Sequence, residues 1–363
     1  MQQSFLPKLH LSATFFAGLL IAALHAGAQS GRVYEFINLP ATARVTALGG
    51  YPAPFTDNDL GMALYYPSLL KEETANQLSL NFVDYFGDIS YGTAAFASHF
   101  ERLGTLSLAI QYVNYGIFSH TDEFGNSFND FNAADYAVSL GWGRPLSEKL
   151  SIGANIKAIS SSLEQYSSFG LATDVSIAYT DEERLLAASL VFRNMGRQIT
   201  TYNNQRENLP FEVVLGVSKK LTNAPLRFSL VTHNLQTYDL TYEDPIGTGR
   251  FFGIEETTEQ TAQERMAEIG DKLLRHAIVG FEFVPSPNFV AGIGYNYRRR
   301  KEMGVDSRLS TVGLSWGVGV RVSHFMFHYG RSNYHLAGAP NHFSITTQLD
   351  RLFYRTSELP SIR

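Results

Sequence analysis

The chain contains no cysteine. That excludes a disulfide scaffold, a thiolate zinc site and a lipid anchor carried on an N-terminal cysteine. Charge is also scarce: Asp, Glu, Lys and Arg make up 17% of the residues, against roughly 25% in ordinary soluble domains. The balance is mildly acidic, a formal −5, which argues against nucleic acid as a partner. After Ala28, no apolar run approaches the ~20 residues that a membrane helix needs. Aromatic residues are abundant, at 13% of the chain, with 26 Phe and 19 Tyr beside only 2 Trp.

Lys8 and His10 precede an apolar run from Leu11 to Leu24. Ala26-Gly27-Ala28 then places small residues at the two positions a signal peptidase reads, before Gln29. This is the pattern of a secretory signal peptide over residues 1–28, too short to span a bilayer comfortably. An exported chain with little charge, many aromatics and no membrane helix is expected to span a membrane as a closed β-barrel. Closure is the other way to satisfy every backbone hydrogen bond in lipid.

The hydrophobic pattern agrees. In Asp135–Arg144, Tyr136, Val138, Leu140 and Trp142 oppose Ala137, Ser139, Gly141 and Gly143. In Thr311–Val318, Val312, Leu314, Trp316 and Val318 oppose Thr311, Gly313, Ser315 and Gly317. Period two over about ten residues puts one face in lipid and the other in the lumen. About fourteen such segments, an even number as in bacterial single-chain barrels, run from Gln77–Tyr85 to His342–Leu349. They include Phe289–Arg298, Leu309–Val318 and Arg321–Tyr329. Short connections alternate with longer ones, among them Gly116–Ala133, Ser161–Gly170 and Gln236–Arg275. That asymmetry matches the periplasmic turns and outer loops of membrane barrels.

The expected fold is therefore an all-β, 14-stranded antiparallel transmembrane barrel with an N-terminal plug. Its parts are a signal peptide over 1–28, a hatch over 29–76, the barrel over 77–349 and a periplasmic tail over 350–363. The lumen faces are rich in Gly, Ala, Ser and Thr, so something else must fill the bore. Residues 31–76, with Val45, Leu48, Leu64, Tyr65 and Leu69, are too apolar for a free tail. Occasional charged or imidazole groups point inward: Lys157, Arg193, Glu212, Glu282, Arg298, His324 and His328. In the longest loop, Glu255–Arg275 is predicted as a helix, acidic at its start and basic at its end, as the helix dipole favours.

Catalytic chemistry is nearly absent. Ser68-Leu69-Leu70-Lys71 has S-x-x-K spacing, but no K-T-G element accompanies it, and that triad needs a soluble α/β context. No metal motif and no phosphate- or dinucleotide-binding glycine fingerprint is present, so no enzyme activity and no cofactor are expected. Arg298-Arg299-Arg300-Lys301 is the one dense basic run. At the outer end of a strand it is a candidate contact for lipopolysaccharide phosphates.

The segment Ala41-Thr42-Ala43-Arg44-Val45-Thr46-Ala47-Leu48-Gly49-Gly50, followed by Asp57-Asn58-Asp59 and Tyr65-Tyr66-Pro67, resembles the opening of the FadL-like barrels. Where that family shows Asn-Pro, this chain has Tyr66-Pro67. Further stretches resemble the PorQ-like barrels of the type IX secretion system. They are Tyr34-Glu35-Phe36-Ile37-Asn38-Leu39-Pro40, Tyr115-Gly116-Ile117-Phe118, Thr121-Asp122-Glu123-Phe124-Gly125 and Phe131-Asn132-Ala133-Ala134-Asp135-Tyr136. The FadL likeness implies fourteen strands, a hatch, and passage of small hydrophobic molecules. The PorQ likeness implies a non-enzymatic role in the attachment complex. There the barrel would anchor a PorZ-like surface protein beside PorU- and PorV-like components, in contact with lipopolysaccharide. The candidate docking residues are then Phe118, Asp122, Glu123, Phe124, Glu255, Glu256 and Glu259 on the outer loops.

Overall fold

The computed structural model describes residues 32–121, 124, 127–241, 261–304, 311–334 and 338–350. The expected signal peptide lies outside the described residues, as does nearly all of the C-terminal tail.

Fourteen antiparallel strands close on themselves, with the first pairing the last. They are β1 (Gln77–Asp84), β2 (Ser90–Phe100), β3 (Gly104–Thr121), β4 (Ser127–Pro145), β5 (Leu150–Leu163), β6 (Tyr166–Asp181) and β7 (Leu186–Thr200). The other half comprises β8 (Glu212–Lys220), β9 (Leu226–Thr232), β10 (Ala277–Ser286), β11 (Phe289–Asn296), β12 (Leu314–Val322), β13 (Phe325–Ser332) and β14 (Asn341–Gln348). Every strand neighbours its sequence neighbours, so each hairpin forms locally and only the β1–β14 seam joins distant segments. Closure leaves no sheet edge in the membrane.

Alternation sets the faces. On β4, Tyr136, Val138 and Leu140 are exposed; on β12, Leu314, Trp316, Val318 and Val320 are. Facing lipid, these side chains lie in their preferred medium. Trp142 sits near the short-turn end and Trp316 near the opposite end, as interfacial aromatic girdles require.

Several expectations are corrected. Much of the expected loops Gly116–Ala133 and Ser161–Gly170 is strand: β3 runs on to Thr121 and β4 begins at Ser127, forming a tall hairpin, and only Glu164 and Gln165 separate β5 from β6. About ten residues cross a bilayer, so the 18 residues of β3 stand well above it. There Ile117, Phe118 and Ser119 are exposed in succession. Outside lipid the alternation fades while the hydrogen-bonded ladder continues. Second, β12 and β13 begin four or five residues later than expected, with the turn at Ser323 and Val312 buried. Gly319, expected between the two strands, is a lumen position inside β12, as Gly317 is. Third, β11 stops at Asn296, whose side chain caps helix Tyr297–Met303 by accepting from the Arg299 N–H, so Arg298 is helical. His324 lies exposed in the β12–β13 turn, not in the lumen.

Residues 32–76 enter the bore. Two short helices, α1 (Ala43–Ala47) and α2 (Leu60–Ala63), are capped by Thr42 and Asp59, whose oxygens accept otherwise orphaned N–H groups. Val45, Leu48, Leu60, Met62, Tyr66 and Leu70 form the core, wholly or almost wholly buried inside the barrel. Burying each such side chain contributes about 1.5–3 kcal/mol. Small wall residues admit this plug. A Cβ on Gly330 would sit 2.2 Å from the Ala43 carbonyl oxygen, and one on Gly153 would sit 2.2 Å from the Pro67 carbonyl carbon.

The long connection between β9 and β10 carries α3 (Ala262–Arg275), and the helix after β11 is α4 (Tyr297–Met303). α3 begins later than predicted because Thr261 and Glu264 form a capping box there.

Candidate functional site

The plug is held by charge. Glu282 on β10 and Arg227 on β9 are cross-strand partners on the lumen face. Arg44 of α1 donates to Glu282 from Nε (2.8 Å) and Nη2 (3.0 Å), to Asp59 from Nη1 (2.8 Å) and to Asp57 from Nη2 (2.7 Å). Arg227 Nη1 donates to Asp57 and to Glu282, both at 2.8 Å. Both guanidinium carbons lie 4.5 Å from the centroid of the Phe55 ring. Removing one partner from such a buried cluster leaves a desolvated charge and costs about 3–5 kcal/mol.

A second network ties the plug to β5–β8. Lys157 pairs with Asp174 (2.7 Å) and donates to Asn194 Oδ1 (2.8 Å). Asn194, at φ 56°, donates to the Asn38 side chain and the Pro210 carbonyl. The β6–β7 register shifts beside it, between Thr173 and Val175. The expected inward groups Lys157, Arg193, Glu212 and Glu282 are all buried in the lumen, and His328 lines a cavity there.

Two larger cavities flank the plug and share no lining residue. The inner one, about 870 Å³, is at the short-turn end; Arg44, Asp57, Asp59, Arg227 and His328 line it. The outer one, about 510 Å³, is walled by Tyr51, Tyr85, Phe86, Tyr334 and Met303, with Arg299 and His233. Tyr51, on the plug, donates to Glu212 (2.9 Å) and stacks on His233 with centroids 4.5 Å apart. Glu212 in turn meets Arg193 at 3.3 Å. Burial holds the His233 imidazole below its ordinary value, so the ring is neutral near pH 7.

Of the basic run, Arg298 pairs with Glu302 (2.7 Å) and Lys301 approaches Asp271 (3.6 Å). Arg299 turns inward, donates to Ser332 and lies 4.0 Å over the Tyr334 ring. Arg300 sits beside them on α4. Of the docking candidates, Phe118 is exposed on the tall β3–β4 hairpin and Phe124 is 89% exposed at its tip. Asp122, Glu123, Glu255, Glu256 and Glu259 lie outside the described residues. α3 shows none of its residues buried; Met266, Ile269, Leu273 and Leu274 are exposed. Its C-terminal end is tied down by Lys272–Asp239 (2.9 Å) and by Tyr297 donating to Asp271 (2.6 Å). The Lys272 ammonium holds the Asp239 carboxyl well below the usual range, and Glu268 and Asp239 raise Lys272.

Ser68 and Lys71 do not form a nucleophile–base pair. Lys71 bridges to Glu182 (2.8 Å), while Ser68 Oγ faces Ser189 (3.5 Å). Among the described residues no cluster of three or more His, Asp or Glu is placed to hold a metal ion.

Sequence reasoning missed Arg227 and Asp174 because single charges in alternating strands carry no local signature. Their plug or wall partners are remote in sequence, Arg227 and Asp57 being 170 residues apart. Arg44 stood only within the FadL-like segment.

No family model matches the chain, and no curated protein matches it by sequence. Among solved structures it is similar to the toluene transporter TbuX of Ralstonia pickettii, at 11% identity over 86% of this chain and 99% of that one, TM-score 0.51. The Pseudomonas putida toluene transporter TodX aligns at 10% identity over 87% and 98%, TM-score 0.48. The CymD monoaromatic hydrocarbon channel aligns at 13% over 87% and 97%, TM-score 0.45. At these identities the likeness is one of fold: this chain has the architecture of a closed fourteen-stranded antiparallel barrel, as the toluene transporter's fold leads one to expect.

Proposed function

We propose that this protein sits in an outer membrane, delivered there by a cleaved signal peptide, and passes small apolar molecules inward. The observation that carries the reading is the outer cavity, walled by Tyr51, Tyr85, Phe86 and Tyr334 directly above the plug. Concave sites with mostly apolar walls and a few placed polar groups are the usual form of small-molecule sites. The barrel's resemblance in fold to a toluene transporter supports it. A molecule seated in the cavity rests on Tyr51, and passage requires the plug to shift against the wall that Arg227 and Glu282 provide. The test is uptake of labelled toluene into proteoliposomes. Uptake above that of empty liposomes is expected; equal uptake refutes the reading.

A second reading has its own observation. The exposed apolar stripe of α3 and the exposed Ile117, Phe118 and Phe124 give the outer end surfaces on which a protein can dock. Under this reading, which the PorQ resemblance motivates, the barrel anchors a PorZ-like surface protein within a type IX attachment complex, beside PorU- and PorV-like components. Arg298, Arg300 and Lys301 then lie where lipopolysaccharide phosphates would meet α4. An affinity pull-down from solubilised outer membranes, with residues 262–275 deleted, tests it. Loss of a surface protein that the intact chain captures supports anchoring, and undiminished capture removes α3 from it.

A further inference from the structure

The polar groups of the outer cavity favour an anionic ligand over a plain hydrocarbon. Arg298 is neutralised by Glu302, but Arg299 has no carboxylate partner among the described residues. Its described hydrogen bond goes to the neutral Ser332 hydroxyl, at 2.8 Å. Among the described residues the charged lining groups are Arg298, Arg299 and Glu302, which sum to one net positive charge.

His233 adds a second donor. It is 1% exposed. Its Nδ1 lies 2.8 Å from the Asn234 amide nitrogen, and the Asn234 oxygen already accepts from Gln236 (3.1 Å). The amide nitrogen therefore donates to Nδ1 at 2.8 Å, while the other neighbour of Nδ1, Glu212 Oε1, stands at 3.6 Å, beyond hydrogen-bond length; this places the ring proton on Nε2. That Nε2 has no hydrogen-bond partner among the described residues. A buried donor left unpaired is destabilising, and here it belongs to a ring lining a cavity that also presents a guanidinium with no carboxylate partner among the described residues. Both groups call for an acceptor. The four aromatic walls call for a flat apolar body, and the volume of about 510 Å³ limits its size.

We propose that the outer cavity selects compact aromatic carboxylates over neutral aromatic hydrocarbons, the carboxylate meeting Arg299 and the ring lying among Tyr51, Tyr85, Phe86 and Tyr334. This rests on the cavity being the entry site of the proposed channel. Arg299 is held 4.0 Å over the Tyr334 ring and bonded to Ser332, which fixes its donors before a ligand arrives. A carboxylate accepts charge-assisted hydrogen bonds about twice as strong as neutral ones, whereas a methyl group in its place offers neither Arg299 nor His233 an acceptor.

The experiment measures binding of 2-naphthoate and 2-methylnaphthalene, near-isosteres, to the purified full chain in detergent. The acid is expected to bind at least about tenfold more tightly. Arg299→Gln should remove most of that preference, weakening the acid far more than the hydrocarbon. Because Arg299 also packs against Gly50 of the plug, a second variant keeps the test independent of folding. Met303 lines the cavity and is 46% exposed, so a carboxylate there can be solvated, and Met303→Glu should weaken the acid by repulsion more than it weakens the hydrocarbon. Equal affinities for the two ligands in the wild type, or an acid affinity unmoved by both variants, overturns the proposal. A pairing of Arg299 and His233 with water only gives that equal result. Selective acid binding without solute uptake would instead defeat the transport reading while the site stands.

Discussion

Glu282 accepts from two arginines, one on the plug and one on the neighbouring strand. A single substitution here strands charge in the lumen. Arg227→Met is expected to lower stability by about 3–5 kcal/mol, and the paired Arg227→Met, Glu282→Leu variant to recover much of the loss. Urea unfolding followed by heat-modifiable gel mobility reads both; additive losses would show that the residues act separately. Gly330 makes a steric counterpart. Gly330→Val has nowhere to place its Cβ beside the Ala43 carbonyl, so the plug should shift and become open to protease while the barrel stays folded. These contacts also mark where single-sequence reading ends. Glu282, Lys157, Arg193 and Glu212 stood out as charges on the lumen faces of apolar strands. Which plug groups they meet was hidden, because Arg44 and Glu282 are 238 residues apart and only closure of the barrel joins them.

At the level of elements, the strands within lipid were legible because the membrane imposes period two, and β1, β2 and β14 begin and end within a residue of expectation. The upper parts of β3 to β6 were not, since serine-rich stretches such as Ser160-Ser161-Ser162 meet water or plug instead of lipid. Removing residues 117–131 is therefore expected to leave barrel stability unchanged. A large fall in the unfolding midpoint would mean that the tall hairpin helps close the barrel. α3 is tethered through Lys272 and Asp239. Asp239 is depressed in the folded chain, so its contribution is present above about pH 4 and lost as pH falls through its lowered value; Lys272 is raised, so its contribution is present below about pH 10 and lost as pH rises through its own. A spin label at Met266 should stay ordered between those limits and gain mobility beyond either. The pair is exposed, so the effect on global stability should be negligible. Mobility independent of pH would show that the Tyr297–Asp271 contact alone holds the helix.

The whole molecule combines a rigid wall with an interior part that is not covalently fixed to it along its length. Small inward residues leave the bore open, and the N-terminal segment fills it, leaving a cavity at each end. The need for a plug was legible in the glycine- and serine-rich lumen faces. The outer cavity was not, because Tyr51, Tyr85, His233, Arg299 and Tyr334 come from five separate places along the chain. The central claim is that solute crosses by displacing the plug. The absence of native cysteine makes a direct test possible. A Cβ on Gly292 would lie 3.8 Å from Ala47 Cβ, the usual separation in a disulfide, so Ala47→Cys with Gly292→Cys can lock plug to wall. Toluene flux into proteoliposomes should then be close to wild type under reducing conditions and fall to that of empty liposomes on oxidation. Equal flux in the two states would contradict displacement of the plug as the route.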